Sequence, residues 1–211
     1  MDALDTDVGR RNSRRIILIT TIGVTVAIGF MIGAFFIGRA SALHSVNNRL
    51  DALEDEQRQL KDIDAIRTLT YKIGFLNDAY LATEEKDRNA FFDKYYAEVF
   101  TPDAIWYYTP YPPTTPISFP GFDGIKKFYY GAQDNFNVTA WQHFYGNVIV
   151  TNLTETTAVA TCKLQAYMQP PNSAPQWIFR SDEPNVVVKV DDGKWKFKVY
   201  NVIVKPGGGE P

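Results

Sequence analysis

The sequence predicts an α+β protein: helices first, then antiparallel strands forming a strongly curved sheet, all preceded by a membrane-crossing helix and a short helical stalk. Three observations carry that reading. Residues 16–38 (IILITTIGVTVAIGFMIGAFFIG) hold no charge. Apolar residues recur at helical spacing over 62–80 and again over 87–100. Residues 140–168 (AWQHFYGNVIVTNLTETTAVATCKLQAYM) alternate apolar and polar along two arms around a polar turn at 151–157.

In chain order, residues 1–15 form a polar leader ending in Arg10, Arg11, Arg14 and Arg15. The charge-free stretch 16–38 that follows is long enough to cross a bilayer as a tilted helix. With four arginines before it and Arg39 just after, the positive-inside rule puts the N-terminus in the cytoplasm and the C-terminal domain outside it. Ala40-Ser41-Ala42 resembles a signal-peptide cleavage site, but the apolar stretch is far longer than a signal core, so an uncleaved single-pass anchor is expected. Residues 39–61 form the stalk: Leu43, Val46, Leu50, Leu53, Gln57 and Leu60 alternate spacings of three and four, the pattern of a coiled coil, and imply a homo-oligomer.

The globular part occupies residues 62–205. Ile63, Ile66, Leu69, Ile73, Leu76 and Tyr80 mark a first helix, and Phe91, Phe92, Tyr95, Tyr96, Val99 and Phe100 a second over 87–100. Thr101-Pro102-Asp103 ends it, and 104–109 (AIWYYT) reads as a short strand. The proline-rich run 110–121 is excluded from any central strand, and a short helix is expected over 125–130. Then comes the long strand from Ala140. Side chains repeat every two residues, so Trp141, His143, Tyr145, Asn147 and Ile149 are expected on one face, with Gly146 bending the strand over a pocket. A return strand near 177–180 precedes a hairpin of 185–190 and 194–205 turning at Asp191-Asp192-Gly193. Residues 206–211 form a disordered tail.

Composition narrows the function. Aromatic residues make up 14% of the 211, enough for a large core and an aromatic-lined pocket for a small hydrophobic ligand. A net charge of −2 gives no electrostatic footprint for nucleic acid. The single cysteine, Cys162, has no partner for an internal disulfide, and no Cys/His cluster has metal-ligand spacing. Neither metal nor cofactor is expected.

The runs FTPDAIWY at 100–107, G-x-x-G-I-K-x-F at 121–128, QHF-x-GNVIV at 142–150 and DGKWKF at 192–197 resemble the SnoaL-like group of the nuclear transport factor 2-like superfamily. The segment around His143 also resembles the corresponding strand of the scytalone dehydratases. The resemblance implies a cone-shaped fold, a curved sheet wrapped around helices, with a small apolar substrate inside. It further implies catalytic roles for His143 as the proton-moving histidine, Tyr108 as a pocket tyrosine and Asp78 as the partner carboxylate. Trp141, Tyr145 and Asn147 line the pocket on the same reading.

A histidine between aromatic walls suits general-base work near neutral pH, and a carboxylate beside it fixes its tautomer. The dehydratases also use a second histidine; the other one here, His44, lies in the stalk. The expected role is therefore an accessory or assembly subunit of a larger membrane complex, as for membrane-anchored relatives in type IV secretion. The alternatives are a membrane-tethered lyase or isomerase with His143 as general base, and a binder of lipophilic ligands.

Overall fold

A single helix, α1 (Asp5–Ala82), carries the charge-free stretch, the heptad-like run and the first helix expected of the globular part. The computed structural model describes residues 5–109, 115–136, 140–169, 172, 176–181 and 184–203. The tail expected over 206–211 lies outside the described residues. By contact the chain divides into two units, residues 1–57 and 58–211.

Among its described residues, the first unit is helix alone. Phe30, Met31, Phe35, Phe36 and Ile37 are all exposed. The described part of α1 includes a window long and apolar enough to cross a membrane, with none of it buried.

The second unit begins within α1, whose apolar period buries Ile66, Leu69, Ile73, Leu76 and Tyr80 on one face. Where one helix was expected over 87–100, the chain forms a 3-10 turn (Glu85–Asp87), α2 (Arg88–Tyr95) and a second 3-10 turn (Tyr96–Glu98). Strand β1 starts early, at Phe100, and runs to Thr109. Pro102, which cannot donate to a ladder, falls at the register irregularity between Phe100 and Ile105. Among the described residues the strand β2 (Ile117–Pro120) pairs only with β1 and so forms a sheet edge, the place a proline-rich segment can occupy. Helix α3 (Gly121–Phe136) is longer than expected. It is followed by β3 (Ala140–Thr151), β4 (Thr157–Gln169), β5 (Gln176–Ser181), β6 (Pro184–Lys189) and β7 (Trp195–Ile203).

The seven strands form one sheet in the order β2-β1-β7-β6-β4-β3, with β5 also on β4. The expected sheet was antiparallel throughout. It is instead mixed, because β1 and β7 run parallel, with Trp106 opposite Tyr200. Parallel pairing needs a long crossover, and everything between β1 and β7 supplies it.

The core is aromatic. Phe92 stacks on Tyr96 at 4.2 Å between ring centroids, and Tyr129 meets Tyr80 at 5.4 Å and Trp106 at 5.1 Å. Each such side chain contributes roughly 1.5–3 kcal/mol by leaving water. Two tyrosines need polar partners inside, and buried Asn77 of α1 supplies one: its Oδ1 accepts from Tyr96 (3.0 Å) and Tyr129 (2.5 Å). Asp62 ties α1 to the β6–β7 hairpin, accepting from Trp195 Nε1 at 2.9 Å and pairing with Lys189 Nζ at 2.7 Å. Burial opposes its charge, but the bonds from Lys189 and Trp195 outweigh it and hold the carboxyl below the usual carboxylate range. Cys162 is buried, and that desolvation pushes its thiol up to about 12.

Candidate functional site

The site forms where α1 lies beside β3, the strand at the far edge of the sheet. An edge strand leaves backbone N–H groups without a ladder partner, and Asp78 supplies one for His143. Its Oδ1 accepts from the His143 backbone N–H at 3.0 Å and lies 2.7 Å from the imidazole Nδ1. An ionised carboxylate only accepts, so this bond assigns the ring proton to Nδ1 and leaves Nε2 as the basic nitrogen. The two side chains differ in access: His143 is 3% exposed and Asp78 31%.

Gly74 sets the close approach of helix and strand. A Cβ there would lie 2.7 Å from Tyr145 Cδ2 and 2.8 Å from Cε2. A glycine inside a helix costs about 1 kcal/mol relative to alanine, so its presence in α1 is explained by this contact. Tyr145 is in turn held by a 2.5 Å hydrogen bond between its hydroxyl and that of Tyr200. Burial raises both phenols, so both stay protonated at neutral pH.

Together these groups line a groove of about 440 Å³ bounded by Tyr71, Gly74, Phe75, Asp78, Gln142, His143, Phe144 and Tyr145. Phe75 is 74% exposed, and Tyr71 and Phe144 are exposed as well. The groove is thus open, apolar at its rim and polar at its floor. It lies against α1 and β3. Among the described residues, no group of three His, Cys, Asp or Glu side chains could hold a metal ion.

Of the residues singled out in the sequence, His143, Asp78 and Tyr145 come together. Trp141 is half-buried against the core, its ring 5.5 Å from that of His143. Tyr108 lies on β1 with its ring 5.6 Å from Phe128, away from the groove lining, and burial raises its phenol. Asn147 departs from the expected face. The pairing with β4 slips between Gly146 and Ile149, and Asn147 adopts a left-handed φ of 49°. This bulge inserts one extra residue and reverses the alternation, leaving Asn147 and Ile149 exposed and burying Val148. Tyr71 and Phe75 were missed because they lie off the core-facing stripe. Their spacing with Asp78, at i, i+4 and i+7, marks a second stripe on the same helix.

A curved mixed sheet with helices packed on it is the architecture of the nuclear transport factor 2-like class. Within that class the chain belongs to the SnoaL-like family, whose domain model matches residues 58–201. Solved structures agree on the fold. A candidate scytalone dehydratase from Novosphingobium aromaticivorans is 19% identical, with a TM-score of 0.53 over 72% of this chain and 91% of that one. A nuclear transport factor 2-like protein with a cystatin-like fold, from the same species, is 20% identical, with a TM-score of 0.54 over 74% and 90%. ActVI-ORFA from Streptomyces coelicolor is 14% identical, with a TM-score of 0.50 over 67% and 96%. No curated protein matches the chain.

Proposed function

We propose that this is a membrane-tethered SnoaL-like enzyme that moves a proton on a small, largely apolar molecule, in an isomerisation or a β-elimination. The observation that carries the reading is the 2.7 Å contact between Asp78 and His143 Nδ1 at an open, aromatic-rimmed groove. His143 Nε2 takes a proton from an activated carbon of the substrate. Asp78 stabilises the imidazolium that results, and the ring returns the proton to a second carbon (isomerisation) or to the departing hydroxyl, which leaves as water (elimination). Tyr71, Phe75 and Phe144 supply apolar surface for the substrate's body. The exposed apolar residues of α1 between Phe30 and Ile37 support anchoring of the first unit in a bilayer. The arginine cluster before them supports a cytoplasmic N-terminus, with the catalytic unit on the other side.

The test is proton exchange. The full chain in detergent is given a panel of lipophilic hydroxyketones in D2O, and deuterium incorporation and loss of water are read by mass spectrometry. His143→Gln keeps the volume and a hydrogen-bonding group, and is expected to slow exchange roughly 100-fold with an unchanged melting temperature. Equal rates in variant and wild type would sink the proposal. The second reading, an accessory subunit of a membrane complex, is favoured by the burial of Tyr80, Phe92, Tyr96 and Tyr129 in the aromatic core. It gains if the wild type exchanges no proton on any substrate and co-purifies with other membrane proteins.

A further inference from the structure

Along α1, Leu43, Val46, Leu50, Leu53 and Leu60 are between 51% and 60% exposed. With Gln57 they occupy alternate a and d positions, so the stripe is continuous along one helical face. The residues flanking the stripe say what covers it. With Leu43 at a, the g positions are Ala42, Arg49 and Glu56, and the e positions are Asn47, Glu54 and Lys61. In a parallel, in-register pair each g residue faces the e residue five positions later on the partner. Arg49 then meets Glu54 of the other copy, and Glu56 meets its Lys61. Both contacts join opposite charges, and by symmetry each occurs twice.

We propose that residues 42–61 form a parallel, in-register, two-stranded coiled coil between two copies of this chain. The charges also select the register. Sliding one strand by a heptad places Arg49 against Lys61 and Glu56 against Glu54, replacing the four attractive contacts with two repulsive ones. Gln57 adds to the selection, because an amide at an a position finds its counterpart only when the strands are level. The run is short, so the charge pairs and the level amide specify the partner more than they strengthen it. This inference stands apart from the proton-transfer reading and survives its failure.

The test uses the full chain in mild detergent, with single cysteines placed by Leu50→Cys and by Leu53→Cys. Cys162 is buried and contributes no background. In a glutathione redox buffer each variant is expected to form a disulfide-linked dimer with itself. Adding Arg49→Glu to the Leu53→Cys chain sets a carboxylate against Glu54 of the other copy and should weaken dimerisation roughly tenfold. Adding Glu54→Arg to that chain should restore it. The proposal is overturned by cross-links that form only when the two cysteine variants are mixed, which marks an antiparallel pair. It is also overturned by a sedimentation mass of one or three copies, or by an Arg49→Glu variant that dimerises as the parent does.

Discussion

Two aspartates on α1 each fasten the helix to the sheet, and they do so with different chemistry. Asp62 faces the β6–β7 hairpin and is answered by an ammonium and an indole N–H, 2.7 Å and 2.9 Å away. The Asp62 side chain is 12% exposed. Asp78 faces the edge strand and is answered by one residue twice, through its backbone and its imidazole, beside an open groove. The same side chain on the same helix is a fastening in one place and the candidate half of a proton relay in the other. What separates them is the chemistry of the partner and the open groove beside one of the two.

Three substitutions test how the attachments of α1 differ. Asp62→Ala leaves Lys189 and the Trp195 indole without their acceptor and should cost about 3 kcal/mol, read as a lowered urea midpoint. The pH dependence follows from the sign of the shift. The Asp62 carboxyl is held below its ordinary 3.8, so the stability it contributes is present above that value and lost as pH falls through the lower folded one. The gap in melting temperature between wild type and Asp62→Ala should therefore be full at neutral pH and close in acid below about pH 4. A gap that is constant down to about pH 2 would mean the pair is not charged as drawn.

Asp78→Ala should cost less, about 1 kcal/mol, because this carboxylate already faces solvent. Its signature is local: the His143 amide loses its acceptor, and its hydrogen exchange should rise well ahead of its neighbours on β3. A loss of stability as large as that of Asp62→Ala would make Asp78 a fastening of the same kind. The smallest effect is expected of Gly74→Ala. The gain in helix propensity, up to about 1 kcal/mol, is offset by the contact with Tyr145, leaving a near-neutral melt. The Tyr145 ring must move, and the Tyr145 and His143 resonances should shift in NMR spectra. Unmoved resonances would show that the groove tolerates a methyl group there.

Much of this was legible in the sequence, for identifiable reasons. The buried face of α1 and the β6–β7 hairpin obey short-range rules of period and turn, and His143 and Asp78 came from the family pattern. The parallel partnership of β1 and β7 was not legible, since nothing local in Trp106 or Tyr200 says that they will face each other across the crossover. The place of Asn147 was missed because strict alternation was carried through Gly146. Gly-Asn is a pair tolerant of bulges and left-handed backbone, and that was the available signal. A glycine in the middle of an otherwise regular helix, at Gly74, was likewise a sign of close approach.

The bulge has a consequence for anyone who redesigns this surface. Odd-numbered positions from Trp141 to Tyr145 turn inward, but beyond Gly146 the parity inverts and Val148 and Val150 are the inward ones. The strand therefore keeps two separate phases, one for the groove and one for the core. Deleting Asn147 would remove the extra residue and leave both sets on the faces they hold now. Val148 would stand opposite Cys162, and Ile149 would stay opposite Thr161. The extra residue is thus what lets one strand carry an added position between groove and core without turning either set away from its face.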